Sequence, residues 1–360
     1  MAAPADRWHG LPARPTLTLV TQVLLSPNVL VVRFGSLGDV LLTTPLLRAI
    51  RQQRPEMRVT VLTENRYTPL LADNPRVDDV IGLSSSDSLL QIGARLRSGR
   101  FSHLLDLEST FRSNLVRLLV PGSWRAAPQY RVSREALVRT KKSLYPDTLA
   151  VAERYFSAAR DLRVVSDGGP AEFFLNPEAE EWADAWLTKV NVGNQRPFVA
   201  FAPSAAQATK RWPPQHWVRL IRRVIGTGAG AVLVGGPDDA KLTGAIAARC
   251  GAEAVNGAGV LSLQGAGAVL KRAAALVTGH TGAMYLAAAL GRPLVALFGP
   301  TVRAFGYHPY NAEHSIVLER DLPCRPCSVS GGDECPLGHH SCLQEIQPDI
   351  VYAALCRVLA

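Results

Sequence analysis

Long apolar runs are missing from this sequence: no stretch of it reaches the roughly 18 residues that a membrane-spanning helix needs. The nearest candidate, residues 17–25, is interrupted by Thr18, Thr21 and Gln22, and no small-residue cleavage site follows it cleanly. We therefore expect residues 1–27 to form a poorly ordered N-terminal extension, and we expect the protein to be cytoplasmic.

Two nucleotide-binding fingerprints are also missing. An NAD-dependent oxidoreductase needs Gly-x-Gly-x-x-Gly after a strand and an acid about 20 residues later. That pattern does not follow any strand that the sequence predicts, and the loop at residues 35–39 lacks the Gly-Lys-Ser/Thr of a P-loop. These absences argue against a dehydrogenase and against a P-loop enzyme.

Charged residues are sparse, at 19% of 360 residues, whereas hydrophobic residues make up 47%. Such a chain can bury a substantial core, and its length suits two domains. The net charge of +9 suggests an anionic partner, such as nucleic acid, a membrane surface or a phosphorylated substrate. An Arg-rich source proteome would explain the same charge without a partner.

Strand and helix patterns alternate along the chain in two series. Apolar runs predict strands at residues 29–34, 58–63, 80–83 and 104–107, and then at 198–202, 231–234, 275–277 and 294–298. Helices are predicted at residues 40–53, 177–190, 215–224, 240–250, 263–274, 283–290 and 348–359. The alternation predicts doubly wound parallel sheets. We expect domains at residues 28–195 and 196–345, with a C-terminal helix at 346–360.

The loop after the first strand reads Gly35-Ser36-Leu37-Gly38-Asp39. Its glycines allow a ligand to approach the backbone closely. Asp39 then lies at the carboxyl edge of the sheet, where open α/β folds bind ligands. On spacing alone, a helix-capping role for Asp39 is favoured over catalysis.

Three loops of the second series have features that suit an anionic ligand. Lys210 and Arg211 form a cation pair that fits either a diphosphate or plain surface chemistry. Asp239 fits a ribose hydroxyl or a helix cap. The turn at residues 278–282 opens a helix, where amides and the helix dipole favour a phosphate; the alternative is an ordinary turn with Thr281 as N-cap.

Two further clusters each leave two interpretations open. Residues 131–142 carry five cations against Glu135, which is typical of a solvated helix face but also suits an anionic acceptor or lipid headgroups. Four of the six cysteines follow the spacing Cys-x2-Cys-x7-Cys-x6-Cys, and disulfides are not expected in a cytoplasmic chain. They predict either a structural zinc site or reduced structural thiols at Cys324, Cys327, Cys335 and Cys342.

Several ordered blocks together resemble glycosyltransferase family 9, the bacterial lipopolysaccharide heptosyltransferases. The N-terminal signature is Val29-Leu-Val-Val-Arg-Phe-Gly-Ser-Leu-Gly-Asp-Val-Leu-Leu-Thr-Thr-Pro45. Later blocks follow in the family's order: Ala208-Thr-Lys-Arg-Trp-Pro213, Gly235-Gly-Pro-Asp238, Thr281-Gly-Ala-Met-Tyr-Leu-Ala-Ala-Ala-Leu-Gly-Arg-Pro-Leu-Val-Ala-Leu-Phe-Gly-Pro-Thr301 and Asp321-Leu-Pro-Cys-Arg-Pro-Cys327. The resemblance runs from about Val29 to the C-terminus.

This resemblance implies an α/β protein of the GT-B fold, with two facing Rossmann-like domains, parallel sheets and a central cleft. It implies inverting, metal-independent transfer of a heptose or related sugar from ADP-heptose, or another nucleotide-sugar, to a lipopolysaccharide core acceptor. The implied partners are the nucleotide-sugar donor, an anionic glycolipid acceptor and the inner-membrane surface, with no nucleic acid. No cofactor is expected for catalysis.

The resemblance also assigns roles to individual residues. Asp39 matches the general base, which reverses the preference for a capping role, and Gly35, Ser36 and Gly38 belong to the acceptor-side loop. The implied donor-binding residues are Lys210, Arg211, Asp239, His280, Thr281, Gly282 and Tyr285.

Two positions depart from the family pattern. The family usually has an acid where this chain has His280, and a histidine where it has Tyr285. A neutral His280 can accept a hydrogen bond, whereas a cationic one would pair with phosphate. The departure motivates a second hypothesis, a non-catalytic or altered-donor nucleotide-sugar binding protein of the same fold.

Overall fold

The structure, a computed structural model, describes residues 27–84, 86–144, 149–193 and 196–360. The predicted extension therefore lies outside the described residues, apart from Pro27, and so does Gln195 at the predicted domain boundary. Within the described ranges, none of the helices combines the length and the apolar character that crossing a membrane requires.

The first half of the chain forms a sheet of five parallel strands in the order β3-β2-β1-β4-β5. Its strands are β1 (Asn28–Val32), β2 (Arg58–Glu64), β3 (Asp79–Leu83), β4 (His103–Asp106) and β5 (Trp124–Ala126). The helices that follow these strands are α1 (Leu37–Leu41), α2 (Thr44–Gln53), α3 (Leu89–Ser98), α4 (Phe111–Leu119) and α5 (Arg131–Thr140). The first four strands confirm the predicted ones. The apolar runs of β1, β2 and β4 are buried, whereas the edge strand β3 is only partly buried.

The second half forms a sheet of six parallel strands in the order β11-β10-β9-β6-β7-β8. Its strands are β6 (Phe198–Ala202), β7 (Gly230–Leu233), β8 (Ala254–Asn256), β9 (Ala275–Gly279), β10 (Leu294–Phe298) and β11 (Ser315–Glu319). Two helices connect the halves, α6 (Val151–Phe156) and α7 (Pro177–Lys189). The helices on this sheet are α8 (Pro214–Ile225), α9 (Ala240–Ala248), α10 (Leu263–Arg272), α11 (Gly282–Ala289), α12 (Ser341–Gln344) and α13 (Pro348–Leu359).

The order of strands fixes where each sheet can bind a ligand. In the first sheet the order reverses between β1 and β4, and in the second between β6 and β9. In open α/β sheets, ligands bind outside the carboxyl ends of the strands at such a reversal. The loops after β1, β6 and β9 leave the sheets at these points, and they are three of the four loops that the sequence analysis selected; the fourth follows β7.

The two sheets share a core. One buried cluster joins side chains of the first sheet, such as Val29 and Val31, to side chains of the second sheet, such as Val232 and Leu276. Separate clusters cover the far face of each sheet. The two halves therefore face each other across a continuous apolar contact, with the cleft at its edge.

The prediction of one helix at residues 40–53 is wrong, because α1 and α2 are separate helices. The hydroxyl of Thr43 donates to the carbonyl of Val40 at 2.7 Å, and that of Thr44 donates to the carbonyl of Leu41 at 2.7 Å. Pro45 has no N–H to continue the ladder of hydrogen bonds. Two hydroxyls and a proline thus end one helix and begin the next.

The connecting helix α7 and the C-terminal helix α13 both pack against the second half. Helix α7 lies on α10, where Glu180 pairs with Lys271 at 2.5 Å and Asp184 pairs with Arg272. The C-terminal helix α13 shares a buried cluster with α8 and with strands of the second sheet. The position of α13, which the sequence left open, is therefore on the second sheet.

Candidate active site

The cleft between the sheets contains two adjoining cavities. The first, called here the charged chamber, has a volume of about 370 Å³ and is lined by Asp39 and Lys210 among others. The second, called the glycine-lined chamber, has a volume of about 480 Å³ and is lined by Gly235, Gly236 and Asp239 among others. Both cavities share the backbone strip formed by Ala205, Ala206, Thr281 and Gly282. One elongated ligand could therefore extend through both.

Asp39 reaches the charged chamber from the first half of the chain. It is the third residue of α1, and its Oδ2 accepts hydrogen bonds from the amide of Ser36 at 3.0 Å and from the Ser36 hydroxyl at 2.9 Å. Its Oδ1 lies 2.8 Å from Nη2 of Arg33, and the residue is only 9% exposed. Asp39 thus supports the start of α1 and also presents a fixed carboxylate to the cleft.

Arg33, which the sequence analysis did not select, holds this carboxylate in place. It is buried beside the cleft, and its Nη1 donates to the carbonyl of Leu107 at 2.7 Å. Its Nε lies 3.4 Å from the carboxylate of Glu108, whose pKa is raised by burial against the opposing effect of Arg33. The signal was available in the sequence, since an arginine directly after a buried strand is unusual.

Lys210 supplies the positive charge of this chamber from the second half of the chain. It ends a short 3-10 turn after β6, and burial lowers the pKa of its amine to about 8, against an opposing attraction from Asp39. Within the described residues, no carboxylate forms an ion pair with Lys210. Its charge is therefore available to an anionic ligand.

A second loop, also missed by the sequence analysis, packs along the stem of Lys210. The hydroxyl of Thr209 donates to the carbonyl of Gly332 at 2.9 Å and accepts from its amide at 2.8 Å. Gly331 has a φ of +97°, and a Cβ there would lie 3.2 Å from Cε of Lys210. Glycine at this position lets the loop close against the lysine.

The start of α11 forms the wall that both chambers share. Thr281 occupies the N-cap position, but its hydroxyl pairs with the hydroxyl of Thr278 at 3.0 Å and does not cap the helix. The first amides of α11 are consequently not satisfied by a side-chain cap, and they lie next to the strip common to the two cavities. This arrangement suits an anion better than an ordinary capped turn does.

The loops of the two halves touch through glycines. A Cβ on Gly38 would lie 2.3 Å from the ring of Tyr285, and a Cβ on Gly282 would lie 3.1 Å from the side chain of Leu37. Each glycine therefore receives a side chain from the opposite half. The contact brings the Asp39 loop and the start of α11 to the same place in the cleft.

His280 is enclosed by its own neighbours. Its ring stacks on Phe298 with centroids 4.3 Å apart, Nδ1 lies 3.0 Å from the hydroxyl of Thr301, and Nε2 lies 3.3 Å from the hydroxyl of Tyr285. Burial, and next the charge of Lys210, lowers the pKa of His280 well below its usual value. A neutral imidazole is therefore expected, and the structure does not favour a cation that pairs with phosphate.

The hydrogen bonds also indicate the tautomer of His280. The single hydroxyl proton of Tyr285 is donated to the carbonyl of Tyr307 at 3.2 Å. Nε2 of His280 must then be the donor to the Tyr285 oxygen, which leaves Nδ1 as the acceptor from Thr301. Thr301 and Tyr285 thus orient the ring.

Arg211 and Asp239 lie apart from the charged chamber. The Nε of Arg211 donates to the carbonyl of Ala205 at 2.7 Å, so this side chain supports the shared strip from outside the cleft. Asp239 lines the glycine-lined chamber, where its Oδ2 accepts from the amide of Gly236 at 2.8 Å. Ser204, missed in the sequence, lines the same chamber with a buried hydroxyl that has no hydrogen-bond partner among the residues the structure describes.

The structure gives no support to zinc, one of the two alternatives for the four cysteines. In the part of the chain that the structure describes, which includes all four cysteines, no three His, Cys, Asp or Glu side chains group in a way that could hold a metal ion. Burial, and next the neighbouring cysteines, raises the pKa of Cys342 to about 11 and also raises that of Cys327, so these thiols are neutral in the metal-free protein.

One protein family matches most of this chain. Residues 89–337 match glycosyltransferase family 9 (heptosyltransferase). The chain is 28% identical to lipopolysaccharide heptosyltransferase 2 of Salmonella typhimurium over 352 residues, which is 92% of this chain and 99% of that protein.

Two solved structures have the same architecture. The glycosyltransferase family 9 protein of Veillonella parvula superposes with a TM-score of 0.79 at 21% identity, and the match covers 93% of this chain and 97% of that chain. The Escherichia coli ADP-heptose lipopolysaccharide heptosyltransferase II has a TM-score of 0.71 at 24% identity, with coverages of 92% and 98%. Two facing parallel sheets of this kind constitute the GT-B fold, which confirms the predicted fold class.

Proposed function

Because this chain belongs to glycosyltransferase family 9 and is a glycosyltransferase, we propose that it moves a heptose, or a related sugar, from ADP-heptose or another nucleotide-sugar to a lipopolysaccharide core acceptor. We propose further that the transfer inverts the anomeric centre and needs no metal ion. Such a function would bring the protein to the cytoplasmic surface of the inner membrane, where it would meet an anionic glycolipid.

One observation carries the proposal: an acid from the first half and a cation from the second half line the same cavity. Asp39 and Lys210 both border the charged chamber, next to the uncapped start of α11 at Thr281 and Gly282. A glycosyl transfer needs a base for the acceptor hydroxyl and positive charge for the leaving diphosphate. The cleft provides both from opposite walls.

The two chambers suit the two parts of a nucleotide-sugar. The glycine-lined chamber has room for a nucleoside, with Asp239 and Ser204 available to its hydroxyl groups. The shared strip would then hold the diphosphate against the amides of α11 and the amine of Lys210. The sugar would extend into the charged chamber toward Asp39.

The chemistry follows from these positions. The acceptor hydroxyl gives its proton to the carboxylate of Asp39, its oxygen bonds to the anomeric carbon, and the bond from that carbon to the diphosphate oxygen breaks. The nucleoside diphosphate leaves toward Lys210, which stabilises its charge. An acceptor oxygen that attacks the face of the sugar opposite the leaving diphosphate would invert the configuration at the anomeric carbon.

Lys210 and the start of α11 together offer the positive charge that a divalent cation offers in other phosphate sites. This is the basis for proposing a metal-independent reaction. We expect transfer to continue at its full rate in excess EDTA; a loss that Mg²⁺ or Mn²⁺ restores would contradict this part of the proposal.

The rival hypothesis, a non-catalytic or altered-donor binder, started from His280. The neutral state of His280 and its hydrogen bonds to Thr301 and Tyr285 remove one argument for it, since the ring adds no second cation to the phosphate site. A thermal-shift screen of the native protein against a panel of nucleotide-sugars tests the donor directly. A protein stabilised by nucleotide-sugars that transfers none of them would support the rival.

Asp39→Asn is the deciding variant. Asparagine keeps the size of the side chain but cannot take the proton, so kcat should fall by about 10²- to 10⁴-fold while stabilisation by ADP is retained. Asp79→Asn serves as the control, since Asp79 is an exposed acid at the start of β3, away from the cleft. Full transfer by the Asp39→Asn enzyme would rule out the assigned base.

A further inference from the structure

Helices α4 and α5 expose large apolar side chains to solvent. Phe111 is 79% exposed and Leu118 is 80% exposed, and because they are seven residues apart they lie on one face of α4. Val132, in the first turn of α5, is 82% exposed. Single exposed apolar residues are common on proteins, but three such side chains on adjoining helices form a group.

The two helices are joined where this group begins. Nη2 of Arg131 donates to the carbonyl of Ser109 at 2.6 Å, which ties the first residue of α5 to the segment just before α4. Phe111 and Val132 are close in sequence to the two ends of that hydrogen bond. We call the exposed faces of α4 and α5, with Phe111, Leu118 and Val132, the α4–α5 surface.

This region also holds almost all of the net charge of the protein. Residues 95–142 contain eleven lysines and arginines and only three acids, a net charge of +8 against +9 for the whole chain. Two of the acids face inward: Asp106 is fully buried, and Glu108 lies against Arg33. Glu135 is the exposed acid of the three. Acids from outside this region pair with two of its cations, Glu64 with Arg112 and Asp161 with Arg125, and the other exposed cations keep this part of the surface basic.

The α4–α5 surface borders the cleft on its acceptor side. Arg134 of α5 lines the charged chamber, while Arg139 and Thr140 on the same helix are exposed. A ligand that lies against the outer face of α5 is therefore within one helix diameter of the chamber that contains Asp39. The surface and the site share a helix.

We propose that the α4–α5 surface docks on an anionic lipid bilayer. Phe111, Leu118 and Val132 would enter the headgroup boundary, while arginine and lysine side chains would reach lipid phosphates. Charge complementarity favours a bilayer over a protein partner, because exposed cations spread along α5 and the residues after it, namely Arg131, Arg139 and Lys142, match a uniformly charged sheet. The inference rests on the proposed function, since docking at this face would bring a glycolipid acceptor to the chamber.

Vesicle flotation tests the inference without donor or acceptor. The native protein should float with vesicles of phosphatidylglycerol and phosphatidylethanolamine, and it should bind phosphatidylcholine vesicles at least about tenfold more weakly. The double variant Phe111→Ser/Leu118→Ser should lose about tenfold in partition to the anionic vesicles. The matched control Val260→Ser/Leu337→Ser removes exposed apolar side chains from the second half and should bind as the native protein does.

A second double variant tests the inference independently, in case Phe111→Ser/Leu118→Ser does not fold. Arg139→Ser/Lys142→Ser changes two exposed cations and should also lose about tenfold, with native-like melting. Native partition by both double variants, equal binding to phosphatidylcholine, or binding only when lipopolysaccharide is added would overturn the inference. Because no transfer is measured, a failed transfer assay with intact vesicle binding would count against the proposed function alone.

Discussion

Lys210 holds its charge in a partly desolvated position, and this makes donor binding sensitive to pH. Burial lowers its pKa to about 8, and a bound diphosphate would raise that pKa because it favours the charged amine. Above pH 8 the free protein must take up a proton to bind. The affinity for ADP should therefore be full below about pH 7 and should fall as the pH rises through 8.

Calorimetric titration of ADP across this pH range measures the effect. Lys210→Met should bind ADP weakly, and its affinity should not fall as the pH rises through 8. Lys271→Met should behave as the native protein does. Lys271 is a suitable control because it lies on α10, paired with Glu180. An affinity that stays constant to about pH 9.5 would show that Lys210 does not contact the phosphates.

Thr301 is the residue on which the orientation of His280 depends. Its buried hydroxyl is the donor to Nδ1, so Thr301→Val leaves a buried ring nitrogen without a partner. The free energy of unfolding should fall by about 1–3 kcal/mol. Thr301→Ser keeps the hydroxyl and should lose less. Urea unfolding distinguishes the two, and equal losses would mean that the hydrogen bond is unimportant.

Between elements, α1 packs closely against α11 in the cleft, through Gly38 and Gly282. A methyl group on Gly38 would overlap the ring of Tyr285, so Gly38→Ala should push the Asp39 loop away from the start of α11. Misplacement of a base by a fraction of an ångström is costly, and kcat/KM should fall by about tenfold or more. The free energy of unfolding should change much less.

Gly226→Ala is the matched control for this variant. Gly226 follows α8, and a Cβ there would meet no atom nearer than 3.4 Å. In steady-state kinetics, the Gly226→Ala protein should have the same kcat/KM as the native protein. If Gly38→Ala were as active as Gly226→Ala, the close contact between the Asp39 loop and the start of α11 would not be needed for activity, and the prediction would be wrong.

At the same scale, the sequence predicted the buried strands and the partly buried edge strand β3, but it missed the edge strands β5, β8 and β11. The buried strands of both sheets appear as continuous apolar runs, as in Val29 to Val32. The strands β5, β8 and β11 lie at sheet edges and are short or only partly buried, so their sequences carry no such signal. The break between α1 and α2 depends on hydroxyl groups that bond backward, which periodicity does not reveal.

For the whole molecule, cations of the first half tie the two halves together. Nζ of Lys141 donates to the carbonyls of Pro326 at 2.6 Å and Cys324 at 3.1 Å, and Nη2 of Arg154 donates to the carbonyl of Phe305 at 2.9 Å. Lys141→Met should loosen the segment around Cys324, and hydrogen exchange of its amides should become faster.

Lys142→Met is the control for that measurement, since Lys142 is the next residue and is exposed. It should leave exchange around Cys324 unchanged. Equal exchange rates in the two variants would show that contacts within the second half hold the segment around Cys324. Arg325 offers such contacts, since it donates to the carbonyls of Gly299 and Thr301.

The arrangement of the halves could be predicted only in outline. The alternation of strands and helices predicts two sheets, and the loops after β1, β6 and β9 predict where they bind ligands. The contacts that align those loops could not be predicted, because they join residues far apart in the chain, such as Gly38 with Tyr285. The cysteine spacing likewise could not show that Cys342 lies buried among apolar residues.

The paired glycine contacts have a consequence for how such a protein can diverge. Gly38 faces Tyr285, and Gly282 faces Leu37, so a larger residue at either glycine can be accepted only if the opposite position becomes smaller. These four positions should covary among relatives. A chimera made of halves from two relatives should then be active only if the Asp39 loop and the start of α11 are both taken from the same relative. The two loops should therefore change together during evolution.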